Sequence, residues 1–219
     1  MLEIKNASLK VGGTDLFCGL SFAVDDGGMV CVMGPSGSGK TTLLRTLLGF
    51  RPLDGGHVSI DGELLTPSSA EEFRKIMAYV PQEVALPTEW VADMVAMLFS
   101  LKINRGTAFS KPRLMEEWSR LGLDPSLYDR RVAELSGGER QRVMLSVAGL
   151  LARPILLADE PTSALDAEAA ALVGEYLRRM ADGGSTVVVV THDERLAAYC
   201  DRRIMITNEG PADGTVEDE

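Results

Sequence analysis

Short apolar runs alternate with longer helical patterns along much of the chain. Four runs rich in Val, Ile and Met have the length of strands: 29–33 (MVCVM), 155–158 (ILLA), 187–190 (VVVV) and 203–206 (RIMI). The segments Lys40–Leu48, Glu139–Leu151 and Ala167–Met180 have helical patterns. Continuous apolar strands are typical of a parallel sheet covered on both faces, so this alternation predicts an α/β core.

The first sixty residues have a different pattern. The runs LEIKNASL and LSFAV are separated by a segment containing VGGTD, and GGHVSIDG (55–62) has the character of a short strand bounded by turns. These runs predict an antiparallel β patch beside the parallel sheet.

A helical segment interrupts the core between residues 84 and 148. Helical spacing of apolar residues and helix-start residues both occur there, at Val91, Met94, Val95, Leu98, Leu101, Pro112, Leu114, Trp118, Leu121, Asp124 and Pro125. We therefore predict that 84–148 is an all-helical insertion and that 1–83 and 149–208 form the core. Residues 209–219 are expected to be a frayed acidic tail within this single domain.

Composition narrows the possible partners. The chain has 219 residues and a formal net charge of −10, which disfavours nucleic acid or an anionic lipid surface as the main partner. Cys18, Cys31 and Cys200 match no metal or disulfide pattern, which suggests a reducing cytosolic compartment. The longest uncharged stretch, 27–39, is too short and glycine-rich to span a bilayer, so we expect a soluble protein.

A phosphate-binding loop is predicted between the strand 29–33 and the helix that begins at Lys40. The segment GPSGSGKT fits G-x-x-x-x-G-K-[ST], and its position between strand and helix argues against a chance glycine-rich turn. Inward-pointing N–H groups and the helix N-terminus would bind phosphates, Lys40 would reach the β- and γ-phosphates, and Thr41 would ligate Mg²⁺. The candidate ATP-binding residues are Gly34, Pro35, Ser36, Gly37, Ser38, Gly39, Lys40, Thr41 and Thr42.

Polar residues follow other predicted strands. Asp159 and Glu160 end a buried apolar run, where Asp159 would face Mg²⁺ and Glu160 would act as general base. His192 ends another run and would sense the γ-phosphate; a solvated acidic turn and a surface histidine are the plainer alternatives. Gln82, at the end of the core's first part, would contact Mg²⁺ or water, although its signal alone is weak. We interpret His57 as structural.

The segment LSGGERQR (135–142) is unusual because two adjacent glycines precede a charged, helix-favouring run. Ser136 and Glu139 have capping-box spacing and predict a helix start, which is a second anion site. An ordinary capped helix does not explain the paired Gly137 and Gly138, which favour a close approach to the backbone.

The order of these motifs resembles the nucleotide-binding subunit of ATP-binding-cassette (ABC) transporters. The resemblance extends from about Leu2 to Ile206, and it implies a RecA-like P-loop NTPase core with an inserted helical subdomain. It also implies a head-to-tail dimer in which Ser136, Gly137 and Gly138 of one subunit close on the γ-phosphate bound by the other. By the same analogy, Asp166 runs along the dimer interface.

One departure from the family concerns the nucleobase. Family members often place an aromatic residue where this chain has Val11, so we expect weaker ATP affinity and poorer discrimination against GTP than an aromatic residue would give. Phe17 is a possible substitute, but its strand context favours the core.

The resemblance further implies a separate integral membrane permease and a cytoplasmic subunit held peripherally at the inner face of the cell membrane. The permease would dock in a groove near the stretch after Gln82, although plain core packing explains 91–99 equally well. Exporter-type or lipoprotein-release-type subunits resemble this chain more than sugar importers do. The alternatives are a non-transport ABC ATPase acting as an ATP-driven clamp in cofactor assembly and a small-molecule kinase, which leaves LSGGERQR unexplained.

Overall fold

The computed structural model describes residues 1–83, 88–104 and 106–206. Its strands and α-helices, in chain order, are β1 (Leu2–Val11), β2 (Thr14–Val24), β3 (Met29–Met33), α1 (Lys40–Leu47), β4 (Gly55–Ile60), β5 (Glu63–Leu64), α2 (Ala70–Lys75), β6 (Met77–Val80), α3 (Val91–Ser100), α4 (Lys111–Arg120), α5 (Gly137–Leu151), β7 (Ile155–Asp159), α6 (Ala167–Asp182), β8 (Thr186–Val190), α7 (Glu194–Ala197) and β9 (Arg202–Met205). Short 3-10 helices cover Lys102–Asn104, Pro125–Asp129 and Val132–Glu134.

A parallel sheet forms the core, in the order β6-β7-β8-β3-β9. Its three central strands, β7, β8 and β3, are buried on both faces, whereas the edge strand β9 exposes Arg203 and Met205. Along β8, Val187 and Val189 belong to one hydrophobic cluster, whereas Val188 and Val190 belong to the other. Three of the four runs are therefore strands for the reason expected, the fourth (203–206) overlaps the edge strand β9, and the α/β core is confirmed.

The predicted antiparallel patch is also present, in the order β2-β1-β4-β5. β1 and β2 form a hairpin in which Val11 pairs with Thr14, and positive φ at both Gly12 and Gly13 permits the two-residue turn. The loop is shorter than the sequence suggested, because Val11 and the residues from Thr14 onward are already in strands. This hairpin places Val11 and Leu16 beside the loop that follows β3.

The described part of the chain between β6 and β7 is helical apart from one isolated bridge, between Trp90 and Arg131. Leu114, Trp118 and Leu121 are fully buried, and the Trp118 indole N–H donates to the Ser146 hydroxyl on α5 at 3.0 Å. The side chains of α3, α4 and α5 share a single hydrophobic cluster with one face of the parallel sheet.

Two details of the predicted insertion are wrong. Leu101 lies beyond the end of α3 and is exposed, so it does not continue the apolar face of that helix. The expected boundary at residue 148 falls inside α5, because this helix starts in the insertion and runs unbroken into the core. Residues 84–87 and the predicted acidic tail, 209–219, lie outside the described residues.

Among the residues that the structure describes, no helix has both the length and the apolar character required to cross a membrane. The longest, α6, has 16 residues. In this part of the chain Cys18, Cys31 and Cys200 are free thiols.

Candidate functional site

A cleft of about 710 Å³ opens where the carboxyl ends of β3, β6, β7 and β8 face the β1–β2 hairpin. Ligands of open α/β sheets bind at this edge. The lining residues are Val11, Leu16, Gly34, Pro35, Ser36, Gly37, Gly39, Lys40, Thr41, Thr42, Gln82, Asp159, Glu160, Val190 and His192. The structure thus brings together nearly all of the predicted phosphate-loop, metal and catalytic residues.

The start of α1 is built to receive an anion. No side chain caps this helix, and its first turn contains no acidic residue, so its N–H groups and positive dipole end face the cleft. Gly39 has a φ of 94°, and a Cβ there would lie 2.9 Å from the Leu16 Cβ, so only glycine fits. The Lys40 ammonium donates to the carbonyls of Gly34 and Pro35 at 2.8 and 3.0 Å.

Ser38 is the one predicted phosphate-loop residue that does not line the cleft. Its side chain is fully buried, and its hydroxyl has no hydrogen-bond partner among the described residues. Its backbone N–H donates to the Pro35 carbonyl at 3.2 Å, so Ser38 shapes the turn of the loop.

Asp159, the last residue of β7, is 1% exposed, and its Oδ1 has no hydrogen-bond partner in the described part of the chain. The Tyr79 hydroxyl donates to its Oδ2 at 3.4 Å. Burial raises the pKa of the Asp159 carboxyl, the Thr41 hydroxyl opposes that shift, and the charge of Glu160 adds to it. Burial, together with the neighbouring carboxylate of Asp159, also raises the pKa of Tyr79 to about 12.

These residues fit a magnesium ion. The open oxygen of Asp159 shares the cleft with the Thr41 hydroxyl and the Gln82 amide, and oxygen ligands of this kind suit Mg²⁺. Within the described ranges, no group of three or more His, Cys, Asp or Glu side chains could hold a metal ion. The set therefore suits an ion that also has ligands from a bound phosphate.

Glu160 follows Asp159 in a strained backbone conformation. Its φ of 48° is uncommon for a residue with a side chain, and its N–H donates to the Val190 carbonyl at 2.8 Å. The His192 Nδ1 lies 2.8 Å from the Glu160 Oε2, with side-chain exposures of 71% and 10%. Oε2 has no hydrogen-bond partner in the described residues, so this contact is proximity and not a formed hydrogen bond.

The segment LSGGERQR (135–142) forms a capped helix start and, unlike the phosphate loop, lies outside the cleft. The Ser136 hydroxyl accepts from the Glu139 N–H at 3.1 Å, and the Glu139 carboxylate accepts from the Ser136 N–H at 2.7 Å, so the predicted capping box is confirmed. These hydrogen bonds to the backbone and side chain of Ser136 lower the pKa of Glu139. Ser136, Gly137 and Gly138 do not line the cleft of their own chain.

Asp166 also lies away from the cleft. It is exposed, and it caps α6 by accepting a hydrogen bond from the Ala169 N–H at 2.8 Å. This local role is independent of the dimer-interface role that the resemblance implies.

The cleft wall beside the phosphate loop is aliphatic. Val11 is 41% exposed and lines the cleft, whereas Phe17 is buried in the core, as expected. Sequence reasoning missed Leu16, although strand alternation places it on the face opposite Phe17. It also missed Tyr79, for which the sequence offers no signal because its partner Asp159 is eighty residues away.

The sequence comparisons identify the family of this chain. The family model described as ABC transporter matches residues 17–163. The chain is 36% identical over 215 residues to an Fe(3+) ions import ATP-binding protein of Rhodococcus jostii, covering 95% of this chain and 60% of that protein. It is 37% identical over 213 residues to a putative ABC transporter ATP-binding protein of Methanopyrus kandleri, covering 94% and 78%. The chain thus spans about three fifths of the iron-import relatives' length.

Solved structures show the same architecture. A dimeric ATP-binding cassette in a post-hydrolysis state bound to ADP and Pi superposes with a TM-score of 0.82 at 29% identity, covering 100% of this chain and 97% of that one. An ATP-binding subunit of an ABC transporter superposes with a TM-score of 0.82 at 26% identity, covering 96% and 87%. This chain therefore belongs to the ABC transporter family and has the P-loop fold of its ATP-binding cassettes.

Proposed function

We propose that this chain is the ATP-binding and ATP-hydrolysing subunit of an ABC transporter, and that two copies sandwich ATP head to tail to drive a separate membrane permease. The observation that supports this most strongly is the composition of one cleft. It combines an uncapped helix N-terminus, a buried carboxylate with an open oxygen, and an acid beside a histidine.

In this proposal the phosphates lie along the loop 34–42, against the N–H groups that begin α1. Lys40 leaves the loop carbonyls to reach the β- and γ-phosphates, and the aliphatic Val11 and Leu16 face the base. Thr41, Asp159 and Gln82 would hold Mg²⁺, which neutralises phosphate charge when it is bound.

Glu160 has the geometry of a general base. Glu160 lines the cleft, and the hydrogen bond from its backbone N–H to the Val190 carbonyl fixes its backbone. Its carboxylate would accept a proton from the attacking water, while the neighbouring His192 orients that water and the γ-phosphate. Lys40 and the α1 N-terminus stabilise the charge that develops on the phosphate.

The dimer is proposed because Ser136 and Gly137 do not line the cleft of their own chain. The capped N-terminus of α5 is a second anion site, and it presents Ser136 and Gly137 to solvent, away from its own cleft. A second subunit packed head to tail would bring these residues to the γ-phosphate, with Asp166 at the same interface. ATP then favours the closed dimer, because the phosphates contact both chains.

The partner and direction of transport come from the relatives. The Rhodococcus jostii relative is named for import of Fe(3+) ions, and a relative in Caulobacter vibrioides for import of sulfate and thiosulfate. These names favour import over the exporter-type resemblance noted from the sequence, and the permease would hold this subunit at the inner face of the membrane. The net charge of −10 argues against a nucleic-acid partner.

Replacing the general base tests the proposal. Glu160→Gln should bind ATP normally, lose turnover by about 10²–10⁴-fold, and accumulate an ATP-bound dimer that gel filtration detects. The matched control is Glu63→Gln, an exposed acid on β5 outside the cleft, which should leave turnover unchanged. A Glu160→Gln protein that stays monomeric in ATP, or keeps its turnover, would contradict the proposal.

A further inference from the structure

A buried glutamine connects α5 to the residue before Gln82. Gln141 is 4% exposed on a helix whose neighbouring buried positions are mostly apolar. Its side-chain amide donates to the carbonyl oxygen of Pro81 at 3.2 Å. A buried amide is costly unless it is hydrogen-bonded, so this contact accounts for a polar side chain at this position.

The accepting carbonyl belongs to the peptide bond between Pro81 and Gln82. A peptide unit is planar, so holding this oxygen also orients the N and Cα atoms of Gln82. Gln82 lines the cleft, and it is the second residue after the end of β6. The hydrogen bond from Gln141 thus acts on the base of a side chain that faces the bound nucleotide.

The same glutamine lies next to the exposed end of α5. Gly137 and Gln141 are four residues apart and occupy one face of the helix. Gln82, Gly137 and Gln141 also line a single cavity of about 440 Å³, together with Ser163 and Ala164 of the turn that follows Glu160. Three segments with different roles in the proposed reaction therefore meet beside one partly buried hydrogen bond.

We infer that Gln141 is a positioning residue that holds Gln82 at a fixed position relative to the N-terminus of α5. A nucleotide that moves Gln82 in one cleft would thereby move the helix end that serves the partner's cleft. This inference rests on the proposed head-to-tail dimer, because only there do the two ends of this contact face different nucleotides. Spatial proximity alone does not establish coupling, so the test measures the coupling directly.

The test is a double-mutant cycle on the full chain. Gln141→Met keeps the side-chain length and removes the amide, and it should lower kcat about tenfold while changing the ATP Kd of the monomer less than about twofold. In a Gln82→Ala background the same substitution should change kcat less than about twofold, because the group through which it acts is already absent.

Ser146→Ala is the matched control. Ser146 is also buried on α5, but its hydrogen bonds go to Trp118 and to its own helix. Its loss should lower the unfolding temperature, and any small change in kcat should be the same with and without Gln82. If Gln141→Met does not fold, Gln141→Asn, whose amide is one methylene too short to reach Pro81, carries the same prediction.

The outcomes separate the two proposals. Multiplicative effects of Gln141→Met and Gln82→Ala, or wild-type kcat in Gln141→Met, would overturn the positioning role alone, provided that the wild-type chain forms its ATP-dependent dimer. A wild-type chain that neither dimerises nor hydrolyses ATP would overturn the proposed function and this inference with it.

Discussion

At the scale of single residues, the buried carboxyl of Asp159 is unfavourable for folding when it is charged, yet its charge suits the proposed cation site. The end of β7 buries its carboxyl, and the charge of Glu160 adds to the raised pKa. Because the pKa of Asp159 is raised in the folded state, protonation of its carboxyl stabilises the fold. This contribution is fully present below the ordinary pKa of an aspartic acid and is lost as pH rises through the raised pKa. Near neutral pH the unliganded protein therefore contains a destabilising carboxylate that a cation would relieve.

We predict that Asp159→Asn stabilises the nucleotide-free protein. Without the buried charge, the free energy of unfolding near neutral pH should rise by about 1 kcal/mol, or about 2–4 °C for a domain of this size. The gain should shrink in acid, where Asp159 is protonated. Thermal unfolding in a chelator at several pH values measures this, and ATPase activity should be lost. A lower unfolding temperature than wild type at neutral pH would contradict the account.

Val11 determines a second prediction at this scale. Val11→Tyr should lower the Kd for ATP about tenfold, since stacking on an aromatic ring contributes about 1–3 kcal/mol per base. Isothermal titration with ATP and GTP measures both affinities, and the matched control is Leu64→Tyr on the exposed strand β5. A wild-type chain that binds ATP in the low-micromolar range and strongly rejects GTP would contradict the prediction that the aliphatic wall weakens nucleotide affinity and selectivity.

At the scale of secondary-structure elements, the two glycines that begin α5 have different reasons to be glycine. A Cβ on Gly138 would lie 2.5 Å from a Leu165 methyl and 2.9 Å from the Ala164 carbonyl oxygen. A Cβ on Gly137 would meet only the Ala164 Cβ, at an ordinary 3.5 Å. Packing within the chain therefore explains Gly138, whereas no contact among the described residues requires glycine at 137, where the proposed dimer places the partner's phosphate.

Alanine substitutions separate these two reasons. Gly138→Ala should destabilise the fold by about 1–3 kcal/mol through overpacking. Gly137→Ala should leave stability unchanged or raise it by up to about 1 kcal/mol, yet lose ATPase activity, because its methyl group faces the partner's phosphate. Thermal unfolding and turnover of the two proteins make the comparison. Wild-type turnover in a stable Gly137→Ala protein would contradict the proposed contact between Gly137 and the partner's phosphate.

The elements themselves were largely predictable from the sequence. Apolar runs and capping residues are local signals, so β3, β7, β8 and the Ser136 cap follow from short segments. The contacts of Tyr79 with Asp159 and of Gln141 with Pro81 join distant segments, and no local pattern encodes them. The helical pattern over Glu139–Leu151 predicted α5 itself, but helix periodicity does not change inside that helix, so it gave no signal for placing the insertion boundary.

At the scale of the whole molecule, the proposed dimer makes the cleft of one chain half of an active site. The phosphate loop, Asp159, Glu160 and His192 converge within one chain, whereas Ser136 and Gly137 point away from that cleft. In the proposed dimer, each complete site therefore needs two chains, and each chain contributes to both sites. This arrangement makes turnover depend on the concentration of the protein.

Mixing two inactive variants tests this claim most directly. Lys40→Ala disables its own cleft, and Ser136→Arg should disable its partner's cleft while binding ATP normally as a monomer. Their heterodimer contains one intact site, so an equal mixture should recover about a quarter of wild-type turnover if chains pair at random. A mixture as inactive as its components, or full turnover by wild-type protein diluted to a strict monomer, would contradict the shared active site.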